Sequence, residues 1–297
     1  MMSHVPVMLD EVIEWLAPRP GMTLVDGTLG AGGHTRALAE RVADEGWVLA
    51  FDRDPAALAA AEQNLRGLPI KLAHADYAEL PRLLAEVGWP GVDGVLLDLG
   101  LSSDQLDDVE RGFSFDAAGS LDLRFDTTSG EPAWKLIERL SERELADVIY
   151  RFGEERCSRR IARRITERRA SAPVRTAAEL ARLVRSCLPR SPRHSIDPAT
   201  RTFQALRIAV NAELASLERV LKVLPDCLNP GGRAAIISFH SLEDRLVKSA
   251  FRDDPRLEAL VRKPLRPSDA EAVRNPRARS AKLRVAARVS PELRTGR

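Results

Sequence analysis

The chain has 297 residues, 44% hydrophobic and 30% charged, with a formal net charge of +2. That length can bury one large domain or two, and no apolar run approaches the ~20 residues a membrane-spanning helix needs. Three scattered cysteines, Cys157, Cys187 and Cys227, form no C-x-x-C, which argues against a disulfide framework or a zinc site and fits a reducing, cytoplasmic setting. The first residues, MMSHVPVMLDEV, lack a basic segment followed by an apolar one, so no signal peptide is expected. The small net charge hides segregation. Between Arg151 and Arg193 there are 13 arginines against four glutamates, and between Arg262 and Arg297 there are 11 basic residues against three acidic ones. Positive charge gathered this way suits a polyanion partner, although solvated helix faces would look the same.

In chain order, residues 5–18 read as a lead-in and a helix stopped by Pro18. Met22 to Val25 is a short strand, followed by Asp26-Gly27-Thr28-Leu29-Gly30-Ala31-Gly32-Gly33-His34 and a helix over Thr35 to Val42. Four glycines within seven residues of a strand-to-helix turn let backbone approach a bound nucleotide. Gly46 to Asp52 is a second strand ending on an acid, and Asp54-Pro55 caps an alanine-rich helix. Asp52 lies 20 residues beyond Gly32, the position from which an acid accepts ribose hydroxyls in nucleotide-binding α/β units. Ile70 to Tyr77 is a third strand closing on Asp76, with Tyr77 placed to stack on an adenine. Val92 to Gly100 is nearly continuous in apolar residues, as in a parallel strand covered on both faces, and it carries Asp98 at its end. Four successive strands therefore end on Asp26, Asp52, Asp76 and Asp98, where open α/β sheets bind ligands.

The next strand of this kind is Arg233 to His240. Before it, Phe203, Leu206, Val210, Leu214, Leu217, Leu221 and Leu224 form one apolar stripe, which predicts a single long helix over 202–224. Between strand four and that helix lie roughly 95 residues, too many for a loop, so 108–201 is predicted to be an inserted, mainly helical subdomain and 1–107 with 202–297 the principal domain. Within the insert, Ser141 and Glu144 predict a capping box. Ser158 to Arg169 predicts a helix with a narrow seam of Ile161, Ala162 and Ile165, its other faces arginine. A proline-punctuated linker over 189–198 leads back. The stretch 275–287 is basic and then alternating, which predicts an added edge strand with basic residues facing out.

The glycine loop lacks the Lys of a phosphate-binding loop, and Thr35 stands where a dinucleotide fingerprint needs Gly or Ala. Its strand-end acid and Gly-x-Gly-Gly resemble the first motif of S-adenosylmethionine-dependent methyltransferases, where Asp26 and Gly30 would help hold the methionine end of the cofactor. Along almost its full length the chain resembles one such family, the MraW (RsmH) bacterial small-subunit ribosomal RNA cytosine-N(4) methyltransferases. The matching stretches include Asp26-Gly27-Thr28, Gly32-Gly33-His34, Phe51-Asp52-Arg53-Asp54-Pro55 and Leu97-Asp98-Leu99-Gly100-Leu101-Ser102-Ser103. Others are Arg111-Gly112-Phe113-Ser114-Phe115, Gly153-Glu154-Glu155-Arg156, Thr200 to Ala205, Ser238 to Arg245 and Asn275 to Ser280.

The resemblance implies a Rossmann-like class I methyltransferase sheet and S-adenosyl-L-methionine bound by Gly32, Gly33, His34, Asp52, Asp98 and Gln105. The family often has Phe where this chain has Tyr77. The implied reaction is methyl transfer to the exocyclic amine of a cytosine in the decoding region. The partner implied is small-subunit ribosomal RNA or the assembled small subunit, with no membrane; a homodimer is compatible with it, and no residue is assigned as a metal ligand. Asp98, Ser102 and His240 are the candidate catalytic residues, His240 being readable also as structural, with Asp244 beside it. Arg111, Arg124, Arg159, Arg160, Arg163, Arg164, Arg277 and Arg279 are the candidate RNA contacts. Phe113, Phe115 and Trp134 could stack on bases, but suit a small core better. No cysteine is placed for carbon-5 methylation, which needs a thiol nucleophile. Ribose methylation often uses a Lys-Asp-Lys-Glu set, and no lysine stands at the end of strand four. Two other readings stay open at this point. One is a nicotinamide-dependent oxidoreductase, disfavoured by the failed fingerprint; the other is a ribosome-assembly module with a vestigial site, disfavoured by four intact strand-end acids.

Overall fold

The computed structural model describes residues 6–43, 45–115, 119–188 and 197–290. In chain order the elements are α1 (Leu9–Leu16), β1 (Thr23–Asp26), α2 (Gly33–Val42), β2 (Trp47–Asp52), α3 (Pro55–Asn64), β3 (Ile70–His74), α4 (Leu80–Glu86) and β4 (Val92–Asp98). Then come α5 (Ser103–Asp107), α6 (Ala133–Arg139), α7 (Glu142–Gly153), α8 (Ser158–Ser171), α9 (Ala177–Cys187) and α10 (Thr200–Asn211). The chain closes with α11 (Glu213–Cys227), β5 (Leu228–Ser238), α12 (Ser241–Asp253), β6 (Leu257–Ala259), α13 (Asp269–Arg274) and β7 (Lys282–Arg288). Two compact units result: Met1–Gly100 with Leu214–Arg297, and Leu101–Glu213.

The first unit is a seven-stranded sheet of order β3-β2-β1-β4-β5-β7-β6. The pairings from β3 through β5 are parallel, and β7 runs antiparallel to both β5 and β6. Val25, Leu49, Val95, Leu97 and Ile236 pack one face against Leu83, Leu217, Leu221 and Val247. Leu24, Val48, Leu96, Ala235 and Ile237 pack the other against Val12, Leu38 and Ala61. Burial on both faces is why these strands read as unbroken apolar runs. The strand order reverses between β1 and β4, and the carboxyl ends at that switch carry Asp26 and Asp98.

The second unit is mainly helical around Leu121, Ile137, Leu145, Ile149, Ile161, Ile165, Leu180 and Phe203. Ser141 caps α7 in the predicted capping box with Glu144. Ile161, Ala162 and Ile165 are fully buried, and Arg159, Arg160, Arg163 and Arg164 on the same helix are exposed.

Three expectations change. The helix predicted over 202–224 is two helices, because Ala212 takes a left-handed conformation (φ 50°, ψ 34°). Its stripe therefore serves two cores, Phe203 and Leu206 in the second unit and Leu217, Leu221 and Leu224 in the first. The boundaries of the second unit move out accordingly, to 101 and 213 instead of 108 and 201. Third, the basic C-terminal strand is not an edge: β7 lies between β5 and β6. Its Lys282 and Arg284 turn inward onto Asp244, at 3.0 and 2.7 Å. The predicted linker over 189–198 falls mostly outside the described residues.

Ala212 supplies a simple test of the break. An alanine held left-handed costs on the order of 1 kcal/mol that glycine does not. Ala212→Gly is expected to raise the urea midpoint of unfolding; a lowered midpoint would show that the break carries no strain.

Candidate active site

The site is built from the carboxyl ends of β1, β2 and β4 and the turn that follows β1. Asp26 is completely buried. Its Oδ2 accepts the Thr35 hydroxyl at 2.6 Å, and its Oδ1 accepts the Thr28 backbone N–H at 3.1 Å. The Thr28 hydroxyl in turn accepts the Asp98 backbone N–H at 2.7 Å. Asp26 thus locks the turn to α2 and to β4. Both of its oxygens are taken up by these bonds, which gives Asp26 a structural role in the turn.

Asp52 fixes the other side of the turn. Its Oδ2 accepts the Gly30 N–H and its Oδ1 the Asp54 N–H, both at 2.9 Å. Each oxygen keeps a lone pair, which suits a ribose hydroxyl. Burial pushes the Asp52 carboxyl up to about 6, against those two backbone bonds and helped by the Asp54 and Asp26 carboxylates. Asp54 is the N-cap of α3, accepting the Ala56 N–H at 3.0 Å.

Gly30 and Gly32 have φ of 48° and 80°, which favour glycine. Gly33 serves a different purpose. A Cβ there would sit 2.4 Å from Pro6 Cγ, so its bareness admits the N-terminal segment rather than a ligand. That segment is tied down by the Met8 N–H, which donates to Glu271 Oε1 at 2.6 Å, and by Val7 O, 2.9 Å from His34 Nε2.

His34 and Asp98 form the chemically distinctive pair. A carbonyl only accepts, so His34 Nε2 carries a proton toward Val7. Nδ1 then faces Asp98 Oδ2 at 3.7 Å. The other Asp98 oxygen, Oδ1, is buried without a hydrogen-bond partner. Burial, then the carboxylates of Asp26 and Glu243, hold the Asp98 carboxyl well above the usual carboxylate range. The Asp98 carboxyl therefore holds a proton more readily than an exposed one, and one of its oxygens is buried without a partner.

The remaining candidates divide. Tyr77 opens the short helical turn after β3 and packs partly against the sheet core. The adjacent Asp76 caps that turn and accepts the Ser216 hydroxyl at 2.7 Å. His240 is the N-cap of α12, its Nδ1 accepting the Glu243 N–H at 3.4 Å. His240 Nε2 lies 3.1 Å from Glu243 Oε1, out of line for a hydrogen bond. Asp244, the candidate beside His240, is neutralised by Lys282 and Arg284. Ser102 and Gln105 belong to the second unit, where each side chain caps the other's backbone N–H at 3.2 and 3.1 Å.

Two of the expected RNA contacts hold loops instead. Arg111 is buried and donates to the carbonyls of Arg124 and Phe125 at 2.8 and 2.7 Å. Arg124 clamps Asp122 through Nε and Nη2, both at 2.7 Å. Their apolar flanks suggest a charge pushed into solvent; a lone Arg in a turn-rich, carbonyl-rich segment is commonly its staple. Arg159, Arg160, Arg163 and Arg164 are exposed, as is Arg279, whereas Arg277 is half-buried. Phe113 is buried, Phe115 meets Phe203 edge-on, and the ring of Trp134 is covered by the Arg175 guanidinium at 3.8 Å.

Sequence reasoning missed Glu243, whose Oε2 accepts the Phe239 and His240 N–H groups at the end of β5. The His-x-x-Glu spacing was the available signal. It also took Thr35 only as a spoiler of the dinucleotide fingerprint, when its hydroxyl is what anchors Asp26.

A parallel sheet with one antiparallel strand slotted in before the edge, a glycine turn at the switch point and acids at three strand ends together define an α/β methyltransferase. The donor set fits S-adenosyl-L-methionine: the spare lone pairs of Asp52, beside the glycine turn, suit the ribose. A model of the MraW methylase family matches residues 1–289, and the chain belongs to that family. It is similar to proteins called ribosomal RNA small subunit methyltransferase H in three bacteria. In Rhodopirellula baltica the identity is 53%, covering 97% of this chain and 92% of the relative. In Nitratidesulfovibrio vulgaris it is 47%, covering 97% and 86%. In Geobacter sulfurreducens it is 47%, covering 96% and 98%. The cofactor of this methyltransferase is S-adenosyl-L-methionine. Among the described residues no helix is long and apolar enough to cross a membrane.

Proposed function

We propose that the chain methylates the exocyclic N(4) amine of a cytosine in the decoding region of small-subunit ribosomal RNA. The relatives' names support the RNA. The observation that carries the amine is the orphaned, buried Oδ1 of Asp98 at the end of β4. When bound, the cofactor supplies an electrophilic methyl group on a sulfonium.

A cytosine amine is a weak nucleophile because its lone pair is delocalised into the ring, and it must lose one proton as the N–C bond forms. Asp98 Oδ1 accepts a hydrogen bond from the amine, which turns the lone pair out of conjugation and toward the methyl carbon. As the amine forms its new bond it gives its proton to Asp98 Oδ1, whose buried carboxylate has a raised proton affinity and is left neutral by it, while His34 Nδ1 stands 3.7 Å from Asp98 Oδ2. His240 is assigned to positioning, because its Nδ1 is committed to capping α12. Ser102 is assigned likewise to the cap of α5. In-line alignment of amine, methyl and sulfur is chiefly a proximity effect. The exposed arginines of α8 are assigned to RNA phosphates.

To test this reading, small ribosomal subunits lacking the modification, and RNA extracted from them, are incubated with the protein and radiolabelled S-adenosylmethionine. Label is expected in the RNA of at least one preparation, and the ratio between them reports whether naked RNA or assembled subunit is the substrate. Label in neither would remove the reading.

A further inference from the structure

The second unit carries a depression of about 440 Å³ that the reaction described above does not use. Tyr150 on α7 lines it and is 60% exposed, one of the few large side chains with an apolar body left in solvent. Arg156, Arg159 and Arg160 line it as well, at and just before the start of α8. Seven arginines lie between Arg156 and Arg169, and four of them also make contacts within the unit. Arg163 and Arg164 pair with Glu142 and Glu167, both at 3.6 Å. Arg168 donates to the carbonyl of Ala172, and Arg169 to those of Ile137 and Leu140. Arg156, Arg159 and Arg160 have no carboxylate within ion-pair distance among the described residues. Nor do they stabilise α8, because arginines in a first turn oppose the positive end of the helix dipole.

We infer that this depression is a nucleotide-binding subsite for single-stranded RNA, in which one base stacks on Tyr150 and the flanking phosphates lie on Arg156, Arg159 and Arg160. The inference rests on the RNA reading above and gives it a place in the second unit. The chemistry is that of a single-strand groove: a π face that accepts any base beside a row of cations. The volume is of the size that holds a small ligand and admits one nucleotide. Asp147, the one carboxylate in the lining, repels phosphate and accepts a ribose hydroxyl, which sets the nucleotide with its phosphates toward the arginines. The neighbouring depression, about 230 Å³ and lined by Arg160, Arg163 and Arg164, continues the basic surface along α8.

The test is fluorescence anisotropy with a labelled, mixed-sequence single-stranded oligoribonucleotide of about 12 residues, within the range a single-strand groove contacts. Tyr150→Ala is expected to weaken binding by roughly 5- to 100-fold, and Tyr150→Phe to bind as the parent does, because the ring and not the hydroxyl does the stacking. The triple variant Arg156→Gln, Arg159→Gln, Arg160→Gln is expected to flatten the plot of log affinity against log salt by about 2, near 0.7 for each phosphate no longer neutralised. All substituted side chains are exposed, and an unchanged thermal melt followed by far-ultraviolet circular dichroism checks that each variant is folded. Unchanged affinity for Tyr150→Ala overturns the subsite, even if the arginine variant loses affinity, because a basic surface without stacking is not a nucleotide pocket. Methyl transfer by the parent protein is measured alongside: its absence would count against the RNA methylation reading, whereas its presence with unaltered variants sinks the subsite alone.

Discussion

Asp98→Asn is expected to lower methyl transfer by about 10²- to 10⁴-fold, the range of a positioned group that handles a proton in the transition state, while leaving the protein at least as stable as its parent. The first half follows from the orphaned Oδ1: asparagine keeps the shape but cannot take up the proton that the amine must lose. The second half follows from the direction of the Asp98 shift. Burial holds its carboxyl well above the ordinary value, and the neighbouring acids Asp26 and Glu243 add to this by disfavouring a further negative charge. Between the unfolded value and the raised folded value, the folded state holds a proton that the unfolded state has lost, so stability falls as pH rises through that window. An asparagine removes this cost. The variant should therefore melt no earlier than the parent at pH 7, and its stability should decline less between pH 4 and pH 7. Retained transfer would remove Asp98 from the chemistry. An inactive variant that also melts early would mean that the carboxyl is needed for the fold.

Asp52→Ala is expected to weaken S-adenosylmethionine binding by about 10²- to 10³-fold, as the loss of one or two hydrogen bonds to a charged group implies. The alanine leaves the Gly30 and Asp54 N–H groups without their acceptor, so the turn loosens as the ribose contact is lost. A pH signature separates the two effects. The Asp52 carboxyl is pushed up to about 6, and its ionised form is the better acceptor of ribose hydroxyls. Affinity should fall as pH drops below about 6 in the parent and lose that dependence in Asp52→Asn. Calorimetry across the range from one unit below that value to two above reads both. Parent-like affinity in Asp52→Ala would take the ribose contact away from this residue.

Much of the principal unit was legible because parallel strands buried on both faces write themselves as apolar runs, and β1, β2 and β4 stop at an acid; β3, an edge strand, ends on His74 with Asp76 two residues beyond. What the acids do was less legible. Asp26, Asp52 and Asp98 stand at equivalent strand ends, yet Asp26 is committed to Thr28 and Thr35, each Asp52 oxygen accepts one backbone N–H of the turn or the α3 cap, and only Asp98 of the three keeps an oxygen without a partner. That difference comes from threonines two to nine residues away and from the Thr28 link to β4, which periodicity cannot show. The single-helix reading of 202–224 failed because one stripe of apolar residues looks the same whether it meets one core or two; a left-handed Ala212 divides it. The C-terminal strand was mistaken for an edge because its alternation shows one polar face, whereas Lys282 and Arg284 find their acid in Asp244. In the insert, exposed and structural arginines are indistinguishable by composition. Arg111 and Arg124 became staples because turn carbonyls and Asp122 lie within reach, while Arg159 and Arg160 meet no carboxylate among the described residues.

The most direct measurement is to methylate the small subunit with a donor carrying a trideuteriomethyl group, digest the RNA to nucleosides and locate the label by tandem mass spectrometry. The expected product is a cytidine whose label stays with the base and leaves with the exocyclic nitrogen. A label on carbon 5, on the ribose, or on a nucleoside other than cytidine would contradict it.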